Sequence, residues 1–198
     1  MQRNPPDRHI LVILGHPAAN SLCGVMADAY AESAKKAGHE VRVIRLGELA
    51  FDPILHEGYG RIQALEPCLQ AAQIDITWAQ HLVFVYPTWW GGLPALLKGF
   101  IDRVFLPGFA FKYRENSPWW DRLLTGRSGH LIVTMDSPPW YYRWVNYMPG
   151  HNQMKKTILE FCGIKPVHIT SFGPVRGSTL EIRQGWIEQV RLLAVKES

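Results

Sequence analysis

A length of 198 residues suits one globular domain, and 47% hydrophobic residues can bury a sizeable core, which argues against a disordered chain. The formal net charge is +4, but the basic residues are scattered rather than clustered in a patch, so we expect no nucleic-acid partner. The apolar run 10–14 is too short for a signal-peptide core, and no stretch is long enough to span a membrane. A cytoplasmic protein is therefore predicted.

Three cysteines, Cys23, Cys68 and Cys162, lie far apart and form no C-x-x-C pair. An odd number of separated cysteines favours a reducing compartment, with neither a disulfide framework nor a zinc site. We interpret them as inert thiols and expect no metal.

Five apolar segments have the pattern of buried strands, and each is followed by helical periodicity. The predicted strands are 9–14, 41–46, 81–86, 130–135 and 167–172. The predicted helices are 22–37, 61–79, 94–105, 150–162 and a last one that follows the capping-box pattern 178–181 and ends near residue 196. This alternation predicts an α/β fold in three layers, a doubly wound five-stranded parallel sheet in a single domain over 1–198. Segment 106–127 is predicted to be irregular.

Ligands of open parallel sheets bind beyond the carboxyl ends of the strands, near the point where the strand order reverses. This rule selects the loops 15–21, 87–93 and 136–149. The same region is rich in aromatic residues, since six of the eight tryptophans lie between Trp89 and Trp144.

The first loop leads directly into a predicted helix N-terminus, where unpaired amides and the helix dipole favour an anion. Candidate phosphate-binding residues are His16, Pro17, Asn20, Ser21 and Leu22. The alternative interpretation is an ordinary helix cap that binds nothing.

The second loop contains two tryptophans and two glycines. Glycines allow the backbone to approach a ligand closely, and a planar polar-edged ring needs amides along its edge and apolar surface on its face. Candidate residues for such a ring are Pro87, Thr88, Trp89, Trp90 and Gly91. The two indoles could instead belong to the core or to a dimer contact.

The run from Tyr86 to Phe105, YPTWWGGLPALLKGFIDRVF, together with PGFAF at 107–111, resembles the signature of the NAD(P)H dehydrogenase (quinone) family. The segment His16-Pro17 with Asn20-Ser21 is similar to the flavin phosphate loop of that family.

This resemblance implies a flavodoxin-like fold, bound FMN or FAD, and a homodimer with its sites at the subunit interface. It also implies hydride transfer from NAD(P)H to the flavin and then, by a ping-pong mechanism, to a quinone or another aromatic acceptor. FMN is slightly favoured, because no loop for an adenosine half is recognisable.

The third loop departs from the family pattern, because it lacks the Gly-Gly pair that precedes the tyrosine and histidine of better-known members. Candidate replacements that could stabilise charge on the reduced flavin are Tyr141, Tyr142, Arg143 and His151. A purely structural aromatic cluster is the alternative for this loop.

Two other functions stay open at this stage. A flavodoxin-type electron carrier would share the fold, although such carriers are typically acidic and this sequence has a pI of about 9.0. Some relatives are ancillary regulatory subunits of a potassium efflux system. Independently of the resemblance, the apolar stripe of helix 94–105 is wide enough to predict that part of it contacts a second subunit.

Overall fold

The computed structural model describes residues 8–196. The remaining residues, 1–7 and 197–198, which the prediction of a single domain over 1–198 includes, lie outside the described part. The strands are β1 His9–Leu14, β2 Glu40–Arg45, β3 His81–Pro87, β4 Phe111–Tyr113, β5 Trp120–Arg122, β6 Ser128–Thr134 and β7 Val167–Phe172. The α-helices are α1 Leu22–Lys36, α2 Pro67–Trp78, α3 Ala95–Val104, α4 Pro139–Trp144, α5 Pro149–Asn152 and α6 Leu180–Lys196, with a 3-10 helix at Leu46–Glu48 and a π-helix at Gln153–Glu160.

The main sheet contains five parallel strands in the order β2-β1-β3-β6-β7. Strand β1 pairs with both β2 and β3, so the strand order reverses on either side of β1. The predicted doubly wound sheet is therefore confirmed, and the reversal places the carboxyl ends of β1 and β3 side by side.

Alternate residues of the central strands face opposite helical layers, as the two-residue repeat of a strand requires. Ile10, Val12 and Leu14 pack with α1 and α6, whereas Leu11 and Ile13 belong to the cluster that includes residues of α2 and α3. Both faces of the sheet are thus covered, which explains why the central strands β1 and β3 contain long uninterrupted apolar runs.

Several predicted boundaries are wrong. Helix α2 begins at Pro67 and not at 61, since proline fits the first helical position and cannot donate within a longer helix. Segment 106–127 contains the antiparallel pair β4–β5, and 136–149 contains helix α4. The predicted helix 150–162 is mostly a π-helix.

The apolar stripe of α3 was expected to be too wide to be buried within one chain, so that part of it would contact a second subunit. The premise of this prediction is wrong. Leu97, Phe100, Ile101, Val104 and Phe105 are all buried within the chain, and Leu96 is partly buried. The stripe is wide because α3 packs on two sides: one side meets the sheet and the other meets the segment 51–66.

The contact between α3 and segment 51–66 is held by a buried arginine. Arg103 is fully buried and donates to both carboxylate oxygens of Glu66, at 3.2 and 2.8 Å, and to the backbone oxygens of Asp52 and Ala64. Gly99 makes the approach possible, because a Cβ there would lie 2.4 Å from the Cβ of Pro53.

Among residues 8–196, no helix is both long and apolar enough to cross a lipid bilayer.

Candidate functional site

Two adjoining cavities lie at the carboxyl ends of β1, β3 and β6, and we call them together the strand-end groove. The first has a volume of about 250 Å³ and the second about 350 Å³. They share four lining residues: Thr88, Trp89, Met135 and Asp136. The first and second predicted loops therefore meet at one site, and the rings of His16 and Trp89 touch edge to face with centroids 5.6 Å apart.

The first loop has a fixed backbone. Gly24 and Gly47 allow it to lie close to α1 and the 3-10 helix, because a Cβ on either glycine would overlap the carbonyl oxygen of Ala19 or Pro17. Ser21 caps α1 by accepting a hydrogen bond from the Gly24 amide at 3.2 Å. The start of α1 is thereby held at the mouth of the first cavity.

The predicted phosphate-binding residues divide into two groups. His16, Ser21 and Leu22 line the first cavity, whereas Pro17 and Asn20 are exposed and do not line it. The ring of His16 accepts a hydrogen bond from the Ala18 amide through Nδ1 at 2.9 Å, which fixes its orientation toward the cavity.

The floor of the first cavity contains a neutral thiol. Cys23 Sγ lies 3.2 Å from Thr134 Oγ1, and burial raises the pKa of Cys23 to about 11 although the hydrogen bond lowers it. A protonated thiol carries no charge that would repel an anion. The single carboxylate lining the cavity, Asp136, accepts a hydrogen bond from the Arg176 amide at 2.9 Å.

The second loop folds as a tight two-residue turn. The amide of Gly92 donates to the carbonyl of Trp89 at 2.9 Å, and the Trp89 amide donates back to Gly92 at 3.2 Å. Trp90 and Gly91, the two central residues, have φ values of 51° and 76°, the positive angles of a type I′ turn. The amides of Trp90 and Gly91 take no part in the two hydrogen bonds between Trp89 and Gly92.

The predicted ring-binding residues all lie along this turn. Thr88, Trp89, Trp90 and Gly91 line the second cavity, and Pro87 lines the first. The Trp90 side chain is fully exposed and Trp89 is 44% exposed, so the structure gives neither indole a place in the core. Apolar surface of this size exposed at a cavity is typical of a binding site.

Tyr142 attaches the second loop to the third. Its hydroxyl donates to the Gly91 carbonyl at 2.8 Å and accepts from the Gly150 amide at 2.9 Å. The Gly150 amide also reaches the Gly91 carbonyl, at 3.1 Å. Burial raises the pKa of Tyr142 although the amides of Gly150 and His151 lower it, so the phenol stays neutral and its hydrogen bonds persist.

The other three predicted catalytic residues do not line the strand-end groove. Tyr141 is 40% exposed and packs against Trp140 with ring centroids 5.8 Å apart. Arg143 is exposed and His151 is buried, and both line a different cavity on the flank of β7. Burial lowers the pKa of His151 to about 4, so this imidazole is neutral at physiological pH.

Seven groove residues are missing from the sequence-based candidates: Cys23, Thr134, Met135, Asp136, Ser137, Asn146 and Val175. Thr134 and Met135 form the end of β6 and the position after it, and Asp136, Ser137 and Asn146 lie in the loop 136–149 that the strand-end rule selects, so the rule could have identified these five. Cys23 had no such signal, because its location depends on how the first turn of α1 meets β6.

The sheet order and the position of the groove define a doubly wound α/β protein of the flavodoxin class. The chain belongs to the family with the flavodoxin-like fold, whose model matches residues 8–191.

Named relatives agree with the resemblance noted in the sequence. The chain is 28% identical to an uncharacterized NAD(P)H oxidoreductase of Haemophilus influenzae, over 90% of both proteins. It is 32% identical to NAD(P)H dehydrogenase [quinone] 1 of Cavia porcellus over 54% of this chain. It is 30% identical to an FMN-dependent NADH:quinone oxidoreductase of Caldicellulosiruptor bescii over 61% of this chain. The matches span 46% and 56% of the latter two proteins, about half their length.

A solved structure of an NAD(P)H:quinone oxidoreductase from Methanothermobacter marburgensis has the same fold. Its TM-score is 0.82, it shares 21% identity, and the match covers 97% of this chain and 100% of the other.

Proposed function

We propose that the protein is a flavin-dependent NAD(P)H:quinone oxidoreductase of a reducing, cytoplasmic compartment. The observation that carries this proposal is the strand-end groove, where a helix start suited to a phosphate adjoins a turn with a fully exposed indole. The names of the relatives support the reaction class, and the free thiols of all three cysteines are consistent with the compartment.

The residues present fit a flavin. The first turn of α1 and the side chains of Ser21 and His16 would hold its phosphate. The amides of Trp90 and Gly91, outside the bonds that close their turn, would face the polar edge of the ring system. When bound, a flavin supplies two-electron hydride chemistry.

FMN is proposed rather than FAD. The first cavity, of about 250 Å³, adjoins the helix start, and the sequence contains no loop that is recognisable as a binding segment for an adenosine half. The FMN-dependent relative from Caldicellulosiruptor bescii is consistent with this choice.

Two features of this chain would position the reactants. The Trp90 indole would supply an apolar face against which a planar molecule stacks. Tyr142 would keep the turn at Trp90 fixed through Gly91, so that binding needs little reorganisation. NAD(P)H and the acceptor would occupy the same open groove in turn, which is the basis for proposing a ping-pong mechanism.

A homodimer is also proposed, now for a reason other than the α3 stripe. Tyr59, Tyr113 and Trp119 are each more than 60% exposed, and Tyr59 and Tyr113 line a cavity of about 310 Å³ beside α3 and the π-helix. Exposed aromatic side chains near one cavity are typical of subunit contacts. A molecular mass of a monomer, measured by light scattering at micromolar concentration, would exclude this part of the proposal.

The decisive test begins with the visible spectrum of the purified protein and mass spectrometry of whatever heat releases. NADPH oxidation with menadione as acceptor is then measured, with parallel double-reciprocal plots expected for a ping-pong reaction. A bound flavin without steady-state acceptor reduction would favour the flavodoxin-type electron carrier. Copurification with a membrane transporter would favour the ancillary role in potassium efflux.

A further inference from the structure

Another cavity, outside the strand-end groove, lies on the flank of the sheet between α4, the start of the π-helix and the edge strand β7. We call it the flank cavity, and its volume is about 470 Å³. It shares no lining residue with the first cavity of the strand-end groove and only Tyr142 with the second. The proposed flavin site therefore leaves this cavity without a function.

The lining of the flank cavity is positively charged. Arg143 and Lys155 contribute cations, His151 and His168 contribute imidazoles, and none of the ten lining residues is acidic. The cations have only weak partners. Lys155 Nζ lies 3.9 Å from the Glu160 carboxylate, and the Arg143 guanidinium lies 5.2 Å from the centre of the Trp144 ring. Such a lining favours an anionic ligand.

His151 supplies a buried hydrogen-bonding atom without a partner. The residue is 3% exposed, and its Nε2 lies 2.8 Å from the Ser171 hydroxyl. Its Nδ1 is buried and has no hydrogen-bond partner in the described part of the chain. A buried polar atom in this state costs free energy, which a ligand oxygen would recover once a small rotation of the ring brings Nδ1 to the cavity that His151 lines. If Ser171 donates to Nε2, Nδ1 carries the proton and can donate to that oxygen.

The remaining wall determines what kind of anion fits. Pro139, Met148, Val167 and Ile169 give the cavity apolar surface beside its charges. A bare inorganic anion would leave that surface uncovered, whereas an anion with a flat or aliphatic body would cover it. We propose that the flank cavity binds a small organic carboxylate, with its charge held by Arg143, Lys155 and His151 and its body against the apolar wall.

The test uses 2-naphthoate as the probe, titrated by calorimetry into the purified full chain. The neutral 2-naphthamide has nearly the same shape and tests whether charge is required. We expect saturable binding of the carboxylate and at least tenfold weaker binding of the amide. Binding should persist when the protein is saturated with FMN, because the two sites differ.

The variants Arg143→Gln and Lys155→Gln should each weaken 2-naphthoate binding about tenfold, the effect of losing one hydrogen bond to a charged group. Lys156→Gln, one residue further along the π-helix and outside the cavity lining, is the matched control and should leave the affinity unchanged. Circular dichroism melting curves verify that each variant is folded.

Three results would overturn the proposal: absence of saturable binding at millimolar probe, displacement of the probe by FMN, or equal losses in Lys155→Gln and Lys156→Gln. None of these outcomes depends on whether the protein reduces quinones, since the titration can be made without cofactor.

Discussion

Replacing Tyr142 with phenylalanine tests whether one hydroxyl holds the aromatic turn in place. The change removes only the oxygen that donates to the Gly91 carbonyl and accepts from the Gly150 amide. The Gly150 amide keeps its bond to the Gly91 carbonyl at 3.1 Å, so the net loss is close to one buried hydrogen bond plus partial desolvation. Such a loss costs about 1 to 2 kcal/mol.

We therefore expect Tyr142→Phe to lower the free energy of unfolding by about 1 to 2 kcal/mol, which corresponds to about 2–8 °C in melting temperature for a domain of this size. If the turn loosens, flavin affinity should also fall, by about fivefold for each kcal/mol of positioning that is lost. Urea denaturation of the flavin-free protein and fluorescence titration with FMN measure the two effects separately.

The matched control is Tyr147→Phe. Tyr147 lies five residues further along, is 77% exposed and lines none of the cavities described above. Losing its hydroxyl should leave both measurements unchanged. If the two variants behave alike, the bonds of Tyr142 do not hold the turn and the argument from its geometry is wrong.

Further predictions concern the groove, the core and the dependence on pH. Trp90→Ala should weaken flavin binding about threefold to tenfold, because an aromatic contact contributes roughly 0.5–1.5 kcal/mol, and should leave the unfolding of the flavin-free protein unchanged because the indole is fully exposed. Arg103→Met should lower the unfolding free energy by about 3 kcal/mol, since it removes the buried partner of Glu66, and a loss below about 1 kcal/mol in urea denaturation would contradict that role. Burial lowers the pKa of His151 to about 4 in the folded protein, so the unfolded chain takes up a proton first as the pH falls. The stability that depends on His151 should be fully present above about pH 6.5 and decline by up to about 3 kcal/mol toward pH 4. In His151→Gln this part of the pH dependence of urea unfolding should disappear, and an unchanged slope would show that another group is responsible.

The sequence predicts most of the fold because local and tertiary preferences agree there. Each central strand contains an uninterrupted apolar run that is buried on both faces, 10–14 in β1, 82–86 in β3 and 131–133 in β6, so the pattern predicts their burial. The elements that differ are short or irregular. Helix α4, with six residues, begins at the second of two consecutive prolines, a pair that indicates a loop. The strands β4 and β5 have three residues each, too few for a pattern of alternation.

The location of the site was predictable for the same reason, whereas the roles of its residues were not. The loops that follow the neighbouring parallel strands β1 and β3 start side by side, so the closeness of the loops that carry His16 and Trp89 follows from topology. Whether a tyrosine of α4 faces the groove, the solvent or the backbone of another loop depends on the angle at which that helix leaves β6. Six residues are too few for a periodicity that would indicate this angle. Tyr141 and Tyr142 are therefore equivalent candidates in the sequence, although in the structure Tyr141 is exposed and Tyr142 is buried.

The α3 stripe illustrates a limit of inference from hydrophobic surface. A stripe too wide for one contact has two explanations, a partner subunit or a second layer from the same chain, and both produce the same sequence pattern. In this structure the partners of Arg103, a charged residue in the middle of the apolar stripe, show that the second explanation applies. A buried arginine needs carboxylate and carbonyl partners, and Glu66, Asp52 and Ala64 provide them from segment 51–66. In this chain the partners of Arg103, together with the close approach of Gly99 to Pro53, therefore identify segment 51–66 as the layer that covers the second side of α3.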